Sequence, residues 1–232
     1  MSSLQPPAAS PEDEGDRLGA AEVGMLAALD GAGIRPDVVL GTSIGAINGA
    51  VVAADPLAGI DRLRRLWGEV GARRLFDTGV VARLQMLRRT RVSLHSNQQL
   101  EALLSEALGS ETRIEDLGVQ FGCVAACVET AGATWFHRGP LVPALLASSA
   151  VPVLFEPVGI GGRHYLDGGL VDSIPLARAV ELGARTIFVL QVGRIEHPLE
   201  APRNLAEVAL VSFEIARRHR FATVMELSLI HI

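Results

Sequence analysis

Residues Gly41-Thr42-Ser43-Ile44-Gly45 constrain this chain more than any other stretch. An apolar run, Val38-Val39-Leu40, precedes them, and a small-residue segment, Ala46-Ile47-Asn48-Gly49-Ala50, follows. The pattern predicts a strand, a tight turn and a helix with the serine at the apex, the G-x-S-x-G form of a nucleophile elbow. Glycines at 41 and 45 remove side chains where backbone segments cross, and they accept strained dihedrals. The helix begins at Ile44 and Gly45, and its N-terminus offers N–H groups and a dipole suited to a developing oxyanion. Ser43 is therefore the candidate nucleophile. The plain alternative is an ordinary strand–helix turn.

A second signal is Tyr165-Leu166-Asp167-Gly168-Gly169, which by itself is only a turn signal. Between the two motifs lies Ala147-Ser148-Ser149-Ala150-Val151-Pro152. Taken in order, these three motifs resemble the patatin-like phospholipases, and the resemblance runs from about Leu18 to about Val192. It implies a three-layer α/β/α fold with a mostly parallel central sheet. It also implies a Ser–Asp dyad, with Ser43 as nucleophile and Asp167, of the Asp167-Gly168-Gly169 motif, as its base. The implied reaction is cleavage of acyl ester bonds of lipids through an acyl-enzyme, with no metal and no organic cofactor. Ser148 and Ser149 read as packing and turn residues.

The chain departs from that family at its beginning. The family's glycine-rich loop, G-G-G-x-x-G, supplies oxyanion N–H groups. Its counterpart here is Glu14-Gly15-Asp16-Arg17-Leu18-Gly19, where only Gly15 and Gly19 fit. Glu14 and Asp16 bring negative charge to a place that should stabilise an anion. No apolar run upstream is able to form the usual first strand. Residues 1–17 are thus expected to be an atypical, disordered segment, and residues 18–226 a hydrolase domain that continues beyond Glu226 in the natural protein. Residues 227–232, Leu-Ser-Leu-Ile-His-Ile, match a translated sequencing adaptor and are expected to be a non-native tail. The weakened loop leaves open a catalytically impaired domain that binds lipid or a partner. An ordinary Ser–Asp–His esterase also stays open, with His197 or His219 as its histidine.

Composition narrows the partners. All 21 basic residues are arginine and the net charge is −5, so no basic face for nucleic acid is indicated. No run reaches membrane-spanning length and the N-terminus lacks a signal-peptide core, so a cytoplasmic, at most membrane-peripheral protein is expected. Arg83, Arg88, Arg89 and Arg91 beside Val80, Leu84 and Leu87 form a candidate contact with anionic lipid. Cys123 and Cys127 fall on one face of a strand about 13 Å apart, too far to bridge, and are expected as buried thiols.

The remaining pattern predicts helices over residues 44–54, 59–70, 80–89, 97–108, 141–150, 174–182 and 203–224. A hairpin is expected from residues 119–129 and 133–137. Further strands are expected at 153–158 and, fully buried, at 186–191.

Overall fold

The computed structural model describes residues 11–73, 96–192 and 198–229. Helix α1 (Pro11–Gly31) leads to strand β1 (Val38–Thr42), helix α2 (Ile44–Ala54) and helix α3 (Gly59–Arg73). Helix α4 (Asn97–Leu108) precedes the hairpin β2 (Gln120–Cys127) and β3 (Gly132–Phe136). Helix α5 (Leu141–Ser148), strands β4 (Val158–Ile160) and β5 (Arg163–Asp167), and helices α6 (Leu176–Glu181) and α7 (Leu205–Leu229) complete the order.

The local signals explain several boundaries. Ser96 accepts a hydrogen bond from the Gln98 N–H at the start of α4, and Gly109, at φ 89°, ends it in a conformation that favours glycine. Ala46 through Ala53 of α2 are all buried, as befits a helix apolar on every side. Its small residues allow close approach to the sheet: a Cβ on Gly49 would stand 2.8 Å from Val39 Cγ1.

The sheet has five strands in the pairing order β1–β2–β5–β4, with β3 also on β2, and helices on both sides. The expected mostly parallel sheet is in fact mixed. Among the described residues only β1–β2 is parallel, while β2–β3, β2–β5 and β4–β5 are antiparallel. A short turn joins β2 to β3 and another joins β4 to β5, and connections of that length force antiparallel pairing.

Register places the site. Thr42, the last residue of β1, pairs with Val124 of β2. Asp167, the last residue of β5, pairs with Ala125. Residues Cys123–Cys127 of β2 also pair with β3, so β1 and β5 share the opposite edge of β2. β1 runs parallel to β2 and β5 runs against it, so their carboxyl ends meet head to head at adjacent positions.

Three expectations change. Residues 11–17 form the start of α1 rather than a disordered segment. Pro11 and the acidic run Glu12-Asp13-Glu14 suit a helix N-terminus. Residues 153–157 are not a strand, because the N–H groups of Leu154 and Phe155 turn back onto the Val151 carbonyl and Val153 has φ 73°. Residues 186–191 join no strand among the described residues, and Phe188 and Val189 are 52% and 44% exposed. β1 and this run both line a cavity of about 1010 Å³, and among the described residues no strand pairs with the run or with the free edge of β1. The helix expected at 80–89 and Arg83, Arg88, Arg89 and Arg91 lie outside the described residues.

Candidate active site

Ser43 joins β1 to α2 with φ 57° and ψ −125°, a strained backbone for a residue with a side chain. Gly41 makes the crossing possible, since a Cβ there would stand 2.5 Å from both Ala46 Cα and the Gly45 carbonyl oxygen. The Ser43 carbonyl accepts the first helical bonds, from Ala46 N–H at 2.9 Å and Ile47 N–H at 3.2 Å. The N–H groups of Ile44 and Gly45 therefore have no protein partner among the described residues, as at any uncapped helix start. They point to the end of α2 that attracts anions.

Two long-range bonds hold the elbow. Ser43 N–H donates to Ser148 Oγ at 3.0 Å, across 105 residues of sequence. Thr42 Oγ1 donates to the Asp172 carbonyl at 2.9 Å. Ser148, fully buried at the end of α5, thus fixes the backbone of Ser43 rather than serving only as packing. The signal for it was the Ala147–Pro152 stretch, but nothing in that stretch names its partner.

Asp167 is fully buried. Its Oδ1 accepts the Gly169 N–H at 2.7 Å, while Oδ2 has no hydrogen-bond partner among the described residues. Gly168 continues directly over β2, where a Cβ would collide with the Val124 carbonyl. Burial pushes the Asp167 carboxyl up from 3.8 to about 6. The Ser43 hydroxyl, the Gly169 N–H and the Arg217 charge oppose that rise. The hydroxyl thus favours the carboxylate form, while Oδ2 is left to take a proton. Arg217 is itself paired with Glu214 at 2.7 Å on α7.

Ser43, Asp167, Gly41, Ile44, Gly45 and Gly169 all line the cavity. Gly15 and Gly19 do not supply an oxyanion loop, for both lie within α1. In a helix starting at Pro11, N–H groups beyond the first turn bond carbonyls four residues earlier. Gly19 instead admits Trp67, whose ring occupies the space a Cβ would need. No histidine among the described residues lines the cavity, His219 is exposed, and His197 lies outside the described residues. The described residues contain no cluster of His, Cys, Asp and Glu able to hold a metal ion, and no helix long and apolar enough to cross a membrane. Cys123 and Cys127 are buried, free thiols.

Glu22 is a further acid of the site that no sequence pattern marks. It is 8% exposed on α1, lines the same cavity and accepts Asn48 Nδ2–H at 2.7 Å. No motif marked it, because the partner that buries it lies on α2.

A family model described as patatin-like phospholipase matches residues 15–180. Lysophospholipase nte1 of Aspergillus terreus is 30% identical over 186 residues, covering 78% of this chain and 12% of that protein. Lysophospholipase nte1 of Emericella nidulans is 31% identical over 186 residues with the same coverage. Lysophospholipase NTE1 of Coccidioides immitis is 29% identical over 184 residues, covering 78% and 11%. The chain thus spans about 12% of the length of these relatives.

Proposed function

The chain belongs to the patatin-like phospholipase family, and on that premise we propose that it hydrolyses acyl ester bonds of lipids with Ser43 as nucleophile and Asp167 as base. The observation that carries this reading is the convergence of a strained serine, two unpartnered helix N–H groups and a buried carboxyl with one free oxygen. Ionised Asp167 takes the Ser43 proton on Oδ2 as Oγ attacks the ester carbonyl. The oxyanion forms toward the N–H groups of Ile44 and Gly45. Collapse expels the alcohol, which leaves with the proton, and an acyl-enzyme remains. Water then attacks under the same base and releases the fatty acid. A carboxylate with a pKa near 6 is a better base than an ordinary aspartate and is still ionised at neutral pH.

The apolar cavity wall, including Leu154, Phe155, Ile174 and Leu176, suits an acyl chain. Lysophospholipids are the substrate class suggested by the names of the relatives. No metal or cofactor is required by this chemistry. A peripheral membrane contact through Arg83, Arg88, Arg89 and Arg91, in a cytoplasmic protein, completes the proposal.

The test is hydrolysis of a short-chain nitrophenyl ester and of a lysophospholipid by the parent chain, Ser43→Ala and Asp167→Asn. Loss of turnover in both variants, with the fold intact by circular dichroism, supports the dyad. Turnover that survives Ser43→Ala overturns it. A second reading, a catalytically impaired lipid-binding domain, is favoured by one observation: α1 runs through Gly15–Gly19 where a donor loop is expected. A folded parent chain that binds lipid without turning it over selects that reading.

A further inference from the structure

We propose that Glu22 is a second acid of this site, one whose charge state governs how well the N-terminus of α2 accepts negative charge. The inference deepens the hydrolase reading and rests on Ser43 as its nucleophile.

Glu22 is held from one side. Its Oε2 accepts Asn48 Nδ2–H at 2.7 Å. Asn48, 1% exposed, is fixed in turn. Its Oδ1 accepts Trp67 Nε1–H at 2.7 Å, and its Nδ2 also reaches the Gly19 carbonyl at 3.3 Å. Because Trp67 claims the Asn48 oxygen, the amide must present its NH₂ to Glu22, and Oε2 must be an acceptor. Any proton on Glu22 therefore sits on Oε1.

The free oxygen faces the elbow. Among the described residues and apart from its own turn of α2, the atoms within 4 Å of where a Cβ on Gly45 would stand are the Glu22 carboxyl oxygens, Oε1 at 3.5 Å and Oε2 at 4.0 Å. Gly45 is the second residue of α2, and its N–H is one of the two unpartnered donors beside Ser43. An ionised Oε1 would hold negative charge against the donors that an oxyanion needs. A protonated Oε1 leaves them free and adds an O–H on the same side of the cavity.

Burial raises the Glu22 pKa, opposed only by the Asn48 hydrogen bond. Among the described residues, the groups facing it are Gly19 on its own helix, Gly45 and Asn48 on α2, and Trp67 on α3, none of which titrates. On α3, Arg64 and Asp61 pair with each other, and Arg62 pairs with Asp55. The cavity is also lined by charged groups of other elements, among them Glu214, Arg217 and Arg218 on α7, and the acid beside the nucleophile is Asp167, on which the Arg217 charge acts. The two acids then carry opposite demands. Asp167 must be ionised to take the Ser43 proton, and Glu22 must be neutral to leave the α2 N-terminus to the oxyanion.

Glu22→Gln separates the roles, since its amide oxygen preserves acceptance from Asn48 without the charge. Two measurements read the result. The first is kcat for a nitrophenyl ester from pH 5 to pH 9. The second is octanoate affinity by calorimetry, as a carboxylate probe needing no turnover, in the Asp167→Asn background. Glu22→Gln is expected to raise kcat at alkaline pH by at least about tenfold, below the 10²–10³ scale of a full oxyanion donor. It should also tighten octanoate binding by about tenfold at high pH, with the gain shrinking as pH falls. A wild-type pH profile together with wild-type octanoate affinity overturns the proposal and leaves Glu22 a structural link between α1 and α2. Absence of Ser43-dependent turnover, with the octanoate difference intact, sinks the hydrolase reading and keeps the charge role. Unfolding of Glu22→Gln at pH values where wild type stays folded overturns the claim that the Asn48 bond survives the change.

Discussion

Replacing Asp167 by asparagine should remove activity and stabilise the fold, and the gain should depend on pH. The Asp167 carboxyl sits at about 6 in the folded chain against an ordinary 3.8, because burial penalises its charge. A native pKa above the unfolded value means the native state holds the proton more tightly. Stability is then fully present below about pH 4 and is lost as pH rises through about 6. The rise from 3.8 to about 6 corresponds to a cost of about 3 kcal/mol at pH 8. Asparagine carries no charge, and its carbonyl still accepts the Gly169 N–H that Oδ1 accepts now. The variant should therefore melt about 6–12 °C higher than wild type at pH 8, and nearly level with it at pH 4. Asp172, also raised to about 6 by burial, titrates in the same window but is common to both proteins and cancels in the difference. Calorimetric melting of both proteins at the two pH values is the assay. A melting difference that does not change with pH would refute the reasoning, as would a variant less stable than wild type at pH 8.

Two further outcomes follow from the packing. Ser148→Ala strips the acceptor from the Ser43 N–H in a buried place, which should cost about 1–3 kcal/mol and lower kcat as the strained turn relaxes. Wild-type kcat and melting temperature together in that variant would show the bond to be incidental. Gly168→Ala forces a Cβ against the Val124 carbonyl and should cost about 1–3 kcal/mol in urea unfolding. An unchanged urea midpoint would mean that the turn over β2 yields enough to admit a Cβ.

The sequence alone settled what depends on residues close together in the chain. The strand–Ser43–helix turn, the bounds of α2, the Ser96 cap with its Gly109 stop, and the β2–β3 hairpin each rest on patterns a few residues long. Such patterns act through local dihedral preference and periodic burial, and these are written in composition. Tertiary structure decided the rest. β1 and β5 end against each other only because both pair along one edge of β2, so the nearness of Ser43 and Asp167 is a matter of register. Ser148 and Glu22 gained their roles from partners on other elements, and no spacing within the chain points to them. Residues 186–191 have the composition of a buried strand, yet Phe188 and Val189 stay exposed, since a strand forms only where another edge supplies its hydrogen bonds.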